Sequence, residues 1–196
     1  FLYYLLIKAK VLRLWLFFYM GFFLKQDSVE LDISRYSKKG HGIGFLKIKG
    51  SLEKVEVIGS VIGDSLSVCL QKKRQSTRSA TLLEILMPSA SRSIPKCSHS
   101  QECGGCTLQQ VNYTSQLAFK ESEVKKYFHS LLAGAHVYPI IPCKDPWQYR
   151  NKMEFSFSQN KEGSKFLGLN LANGRGKVVN LNECHLVSPW FLVTLK

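Results

Sequence analysis

Residues 28–48 read SVELDISRYSKKGHGIGFLKI, and this stretch decides the fold of the first half of the chain. Apolar side chains occupy every second position of Val29–Ile33, which is the pattern of a strand with one buried face. The three alternate glycines of Gly40–Gly44 predict a bend or bulge that leads into a further strand over Phe45–Ile48. The period of two therefore predicts that this half is built from β-strands.

Three more strands are predicted downstream, and turn residues separate them. They lie at Lys54–Ile58, Ser65–Leu70 and Ala80–Met87. Five short strands within about 60 residues are typical of a small barrel of the OB type. We therefore predict a β-rich α+β fold, in which residues 22–88 form an OB-like barrel.

The predicted barrel is rich in basic residues at its loops and strand ends. OB-type barrels carry oligonucleotides on one face, and Lys38 and His41 in the glycine-rich loop are candidate RNA contacts of this kind. The alternative is a solvated charged face, which any small barrel needs for solubility. The basic residues are Lys38, Lys39, Lys47, Lys49, Lys72, Lys73, Arg74 and Arg78.

The charge of the whole chain also favours a polyanionic partner. The 196 residues carry 27 Lys plus Arg against 14 Asp plus Glu, a formal net charge of +13. Each Lys or Arg that neutralises a phosphate releases a condensed counterion, so such a surplus stabilises complexes with nucleic acid. The alternative is a merely soluble basic protein. We also expect a monomer and, because clustered cysteines without a clear secretory signal are typical of metal sites in reduced proteins, a cytoplasmic location.

The first 24 residues are strongly apolar, but three cations interrupt them. The longest charge-free run, Leu14–Leu24, has 11 residues, whereas a membrane span needs about 20. We therefore expect no stable membrane span. The preferred interpretation is that translation begins at Met20 and that residues 1–19 are an upstream extension outside the functional fold. A membrane-surface anchor is the alternative.

The second half begins with a linker over residues 89–96 and a cysteine motif directly after it. A helix is predicted over residues 114–132, with Thr114 as its N-cap and Gly134 at its end. The predicted strands of this half are Tyr149–Ser158, Lys165–Asn170 and Lys177–Leu181, the last two joined by a tight turn over Asn173–Gly176.

The cysteine motif reads CSHSQECGGC over Cys97–Cys106. Thiolates are soft ligands suited to zinc or to iron–sulfur clusters, and three of them in one loop can surround a single centre. A cluster held by four thiolates needs one more ligand, for which Cys184 is the natural candidate. From spacing alone a zinc site is equally well supported, with His99 or His185 as the fourth ligand.

Several short motifs together resemble the bacterial RNA (uracil-5)-methyltransferases, and most closely the iron–sulfur type that acts on 23S rRNA. The resemblance covers about residues 25–188. It is carried by Pro95–Cys97, Cys103–Cys106, Leu108-Gln109, Tyr113, Gln116-Leu117, Tyr149–Phe155 and Glu183–Leu186, with Gly40–Gly44, Gly63-Asp64 and Pro88-Ser89 similar to landmarks of a TRAM domain.

The resemblance implies a TRAM barrel followed by an iron–sulfur central domain over residues 97–190. It implies that Cys97, Cys103, Cys106 and Cys184 hold a [4Fe–4S] cluster, which we interpret as a structural staple and not as a redox centre. It also implies methyl transfer from S-adenosylmethionine to uracil in RNA.

No catalytic residue is predicted in this chain. No Gly-rich loop follows a strand and opens a helix, so the Rossmann-like cofactor domain of the family is expected to be missing. Residues 191–196 are interpreted as a truncated tail. Arg150 and Lys152, on one face of the predicted strand Tyr149–Ser158, are candidate RNA contacts. The alternative is an exposed face that pairs with Glu154 or Glu162.

Overall fold

The computed structural model describes residues 28–131, 135–172, 174 and 176–193. Nine strands and two helices lie in these ranges. The strands are β1 (Ser28–Asp32), β2 (Arg35–Tyr36), β3 (Gly42–Ile48), β4 (Ser51–Val57), β5 (Ser65–Arg74), β6 (Thr77–Met87), β7 (Ser156–Gln159), β8 (Lys165–Asn170) and β9 (Val178–Asn180); the helices are α1 (Tyr113–Tyr127) and α2 (Pro189–Val193).

The first six strands form one mixed sheet in the order β1-β5-β6-β4-β3-β2. Its two edge strands, β1 and β2, are consecutive in the chain and separated by only two residues. At this break Ile33 N donates to Asp64 O at 2.9 Å, and Ser34 N donates to Ile43 O at 2.9 Å. The residues between β1 and β2 therefore bond to segments near both edges of the sheet, and this closes the sheet into a barrel. The prediction of a β-rich fold is confirmed.

The barrel core is aliphatic and comes from the alternating positions that the sequence indicates. Leu31 and Ile33 are each 2% exposed, and Val55, Val57, Leu66 and Val68 are fully buried. Cys69 is buried on the same strand as Leu66, as expected of a small apolar side chain. The predicted strands are all present, and most extend further than the sequence indicates.

The glycines of Gly40–Gly44 are not only a bend before a strand. Gly42 and Gly44 lie within β3, where β1 and its continuation cross close to it. A Cβ on Gly44 would lie 2.4 Å from Asp32 O and 2.5 Å from a methyl group of Leu31. Barrel closure therefore requires the absence of a side chain at this position.

Gly44→Ala is expected to destabilise the protein by about 1–3 kcal/mol, since the added methyl group overpacks the barrel against backbone. Gly50→Ala is a contrasting glycine change, because a Cβ there meets nothing within 4 Å, although its φ of 83° adds backbone strain. Urea unfolding of both variants measures the difference. Equal midpoints for Gly44→Ala and the wild type would contradict the close approach.

Helix α1 packs on the barrel through an aromatic pair. The ring of Phe119 meets that of Tyr36 edge-on, with centroids 4.8 Å apart. The helix begins at Tyr113, one residue earlier than predicted, because the side chain of Asn112, not of Thr114, accepts a hydrogen bond from Ser115 N. It ends at Tyr127, so the predicted continuation to residue 132 is wrong, because Phe128 leaves the helical conformation with φ −101° and ψ 9°. Asn is at least as good an N-cap as Thr. Gly134, its predicted end, lies outside the described residues.

The remaining strands form a second, three-stranded antiparallel sheet in the order β7-β8-β9. The predicted strand Tyr149–Ser158 is wrong over its first seven residues, since β7 begins at Ser156. Arg150 instead bridges to Val187, with its N donating to Leu186 O at 2.9 Å. Asn173 of the predicted turn, like residues 1–19, lies outside the described part of the chain.

Candidate metal centre

The four cysteines singled out by the sequence line one small cavity between the loop Cys97–Cys106 and the residues after β9. Cys103 forms an isolated bridge with Leu171, and Gly104 N donates to Asn170 O at 2.9 Å. These bonds lay the loop across the end of β8. Cys184, four residues after β9, thereby comes to the same cavity from a distant part of the sequence.

Hydrogen bonds from backbone and side-chain groups hold the loop Cys97–Cys106 in this conformation. Gln109 accepts a hydrogen bond from Cys97 N at 3.1 Å and directs its Nε2 at Cys106 Sγ, 3.3 Å away. Gly105 N lies 3.4 Å from Cys103 Sγ. Two N–H donors therefore point at cysteine sulfurs, and such donors stabilise negative charge on a thiolate or a cluster. The sequence analysis missed Gln109 as part of the site.

Glu183, the residue before Cys184, joins the loop Cys97–Cys106 to the segment that follows β9. Its Oε1 accepts a hydrogen bond from Ser98 N at 2.5 Å. Hydrogen bonding from Ser98, first from its side chain and then from its backbone N–H, is the main reason why the pKa of Glu183 falls to about 2. The carboxylate is thus charged at neutral pH, and it joins residues 98 and 183 directly beside two of the four cysteines.

Burial raises the pKa of the thiols of Cys97, Cys103 and Cys106, and the neighbouring thiols raise it further. Negative charge is therefore costly in this cavity unless a cation compensates it. Binding of a metal centre would release protons from these thiols and supply that compensation.

The donor set fits an iron–sulfur cluster. All four cysteines line one small cavity whose walls include Leu169, Leu181 and Leu186. A [4Fe–4S] cluster takes four thiolates, and N–H donors to its sulfurs are usual. The space between the side chains is about 10 Å³. A bound cluster would therefore require the cysteine side chains to move apart.

A smaller set of ligands also lies at one edge of this cavity. One ligand atom each of Cys97, His99 and Glu183 lies within 4.8 Å of the other two. His99 Nδ1 is 3.8 Å from Cys97 Sγ. Thiolate, imidazole and carboxylate are all zinc ligands, so the structure retains the zinc alternative that the spacing left open.

The candidate RNA contacts lie in different places. Lys38 is exposed on the barrel loop, and His41 Nδ1 is 3.1 Å from Glu56 Oε1. Lys152 is exposed, and its Nζ lies 2.8 Å from Glu154 Oε1. This pair agrees with the alternative to RNA contact, in which the cation pairs with a neighbouring glutamate. Arg150 is half-buried and directs a guanidinium nitrogen at Gly105 O, 3.4 Å away. Arg150 and Lys152 therefore do not share a strand face.

The structure adds an ion pair that the sequence analysis did not find. Asp64, buried at the end of the barrel, pairs with Arg92 from the predicted linker at 2.5 Å. Ser89 N and Val61 N also donate to this carboxylate, at 2.9 and 2.6 Å. The Gly63-Asp64 and Pro88-Ser89 motifs thus meet in space.

The described residues contain no helix long and apolar enough to cross a membrane.

Comparison with known proteins identifies relatives over most of this chain. It is 38% identical over 138 residues to a Protochlamydia amoebophila protein named an uncharacterized RNA methyltransferase, covering 70% of this chain and 31% of that protein. A Clostridium acetobutylicum protein with the same name is 32% identical over 174 residues, covering 88% of this chain and 37% of the relative. The chain belongs to this family of RNA methyltransferases. It spans about a third of the length of the curated relatives that it matches.

A solved structure shows the same fold. The Pyrococcus abyssi tRNA (uracil-54, C5)-methyltransferase, in complex with S-adenosyl-L-homocysteine, matches 85% of this chain and 34% of its own, with a TM-score of 0.59 and 23% identity. No family model matches the sequence. The homology to RNA methyltransferases predicted from short motifs is therefore confirmed, whereas the TRAM assignment and the cluster remain predictions.

Proposed function

We propose that this chain is the RNA-binding and cluster-bearing part of an S-adenosylmethionine-dependent (uracil-5)-methyltransferase that acts on 23S rRNA in the cytoplasm. The observation that carries the proposal is the meeting of Cys97, Cys103, Cys106 and Cys184 in one cavity, in a chain related to RNA methyltransferases. The rRNA substrate rests on the sequence resemblance to the iron–sulfur type.

The cysteines would hold a [4Fe–4S] cluster whose contribution is a cross-link and not electron transfer. Cys97–Cys106 and Cys184 are far apart in sequence, and closing so long a loop costs conformational entropy. The hydrogen bond from Ser98 N to Glu183 joins the same two segments, and Gln109 bonds to the loop at Cys97 and Cys106. The chain's own residues thus orient the ligands, and the cluster would make that arrangement permanent.

The remaining task assigned to this chain is to bind and orient RNA. Its barrel and the second sheet carry most of the net charge of +13, and electrostatic attraction to phosphates is strong at such a surplus. Among the described elements the only parallel strand pair is β4 with β6, which lies within the barrel. The S-adenosylmethionine site and the catalytic groups are therefore assigned to other parts of the enzyme.

A second candidate is a stand-alone RNA-binding module with a structural zinc ion. The close approach of Cys97, His99 and Glu183 favours it, because one metal ion could use all three. A stand-alone module could hold a cluster as well, so colour, metal content and sulfide content decide between the two metal centres and not between the two functions.

Anaerobic purification with iron, sulfide and zinc analysis tests the proposal. We expect a brown protein with about four iron and four sulfide per chain. The same preparation should bind single-stranded RNA with an affinity that falls as salt rises. A colourless protein with one zinc per chain would exclude the cluster, and a protein that binds no RNA would exclude the assigned task.

A further inference from the structure

A large groove runs alongside the candidate metal centre, and its chemistry suits a nucleic acid. Its volume is about 880 Å³. Three cations and no acidic side chain occur among its described lining residues, which also include three large aromatic rings. The residues concerned are Lys96, Lys120, Arg150, Tyr113, Trp147 and Tyr149.

Trp147 is one of the aromatic residues that line this groove. Lys96 Nζ lies 5.1 Å from the centre of that ring, as in a cation–π contact. The ring of His185 meets the indole nearly perpendicularly, with centroids 6.0 Å apart. The His185 contact restricts the orientation of the indole, and Lys96, over the ring, is an exposed side chain.

Cations and aromatic rings in one groove are the two components of single-strand recognition. Bases stack on aromatic faces whatever their identity, and cations follow the phosphates. Lys120 is exposed on α1 and Tyr149 is 60% exposed, so both are available to a ligand. A neutral apolar ligand would leave three cations without counter-charges, which disfavours that occupant.

We propose that this groove binds a single-stranded segment of RNA, with one base stacked on Trp147 and the adjacent phosphates on Lys96 and Lys120. On binding, the Lys96 ammonium exchanges the indole for a phosphate. The inference rests on the proposed function, because it names the place where the substrate RNA is held.

The groove shares its walls with the metal centre. Gly105, Cys106 and Leu186 line both cavities. Gln148 N donates to His185 O at 2.9 Å, which attaches the Trp147 segment to the residues after Cys184. A cluster that joins Cys106 to Cys184 would therefore also set the width of the groove.

Binding of a fluorescent oligouridylate of about ten nucleotides, measured by anisotropy on the cluster-loaded chain, tests the stacking contact. Trp147→Ala should weaken binding about 5- to 100-fold, and Trp147→Phe should retain most of the affinity. Trp190→Ala is the matched control, since Trp190 is 62% exposed on α2 and does not line the groove. Equal affinities of Trp147→Ala and Trp190→Ala would overturn the proposal.

The salt dependence of the same binding tests the phosphate contact. Lys120→Ala should reduce the slope of log K against log salt by about 0.7, the value for one phosphate of a single strand. Lys126→Ala lies on the same helix, pairs with Glu123 and should leave the slope unchanged. Slopes that are the same for the two variants would contradict the assigned phosphate site.

Protection of Cys143 supplies a measurement on the unmodified chain. This cysteine is exposed and lines the groove, whereas Cys69 is buried. We expect the RNA to slow alkylation of Cys143 by iodoacetamide, read from the mass of its peptide. RNA that binds without protecting Cys143 would refute the groove while leaving the proposed function intact. A chain that binds no RNA would refute both.

Discussion

Arg92→Leu is expected to destabilise the protein by about 3–5 kcal/mol, because it leaves the Asp64 carboxylate buried without its cation. Asp64 is 1% exposed, and Arg92 donates to both of its oxygens. Arg92 also donates to Gly59 O at 3.0 Å, so the barrel loses a second contact with residues 89–96. Such a loss is a large share of the usual 5–15 kcal/mol of folding free energy.

Lys126→Leu is the matched control, since it removes a cation from an exposed pair on α1. Lys126 is 72% exposed and lies 3.4 Å from Glu123. Exposed pairs contribute about 0–1 kcal/mol, so this variant should unfold near the wild-type urea midpoint. The expectation for Arg92 is wrong if both variants unfold at the same urea concentration.

Cys184→Ala is expected to lose the iron and much of the stability together. In the chain-entropy model, a cross-link that closes a loop as long as that from Cys106 to Cys184 contributes about 4 kcal/mol. Removal of one of four thiolates should release most of the iron and bleach the visible absorption of the anaerobic protein. Iron analysis and urea unfolding of the same samples measure both effects.

Cys143→Ala controls for the loss of a thiol as such, because Cys143 is exposed and does not line the metal cavity. It should keep the iron content, the absorption spectrum and the unfolding midpoint of the wild type. A Cys184→Ala protein that lost its iron but unfolded like the wild type would show that the centre is not a structural staple. Retention of the full iron content would remove Cys184 from the ligand set.

The sequence alone supports the barrel strands because each contributes a complete local pattern. The alternation of apolar and polar residues over Val29–Ile33 indicates which face of the strand is buried. The apolar residues of this alternation do pack in the barrel core. The strand prediction for Tyr149–Ser158 was wrong for the opposite reason. Its alternation is real, but the backbone of Arg150 bonds to Leu186, a partner that no local pattern reveals.

The homology to RNA methyltransferases was accessible from the sequence, since motifs are local properties, and so was the choice of the four cysteines that line one cavity. Only the tertiary structure decided which distant groups meet. It paired Asp64 with Arg92, brought Gln109 and Glu183 to the cysteine loop, and placed Trp147 against His185. Apart from the Gln109 bonds, each is a contact between segments that are remote in the chain, and such contacts depend on how the whole chain packs and not on any neighbouring residue.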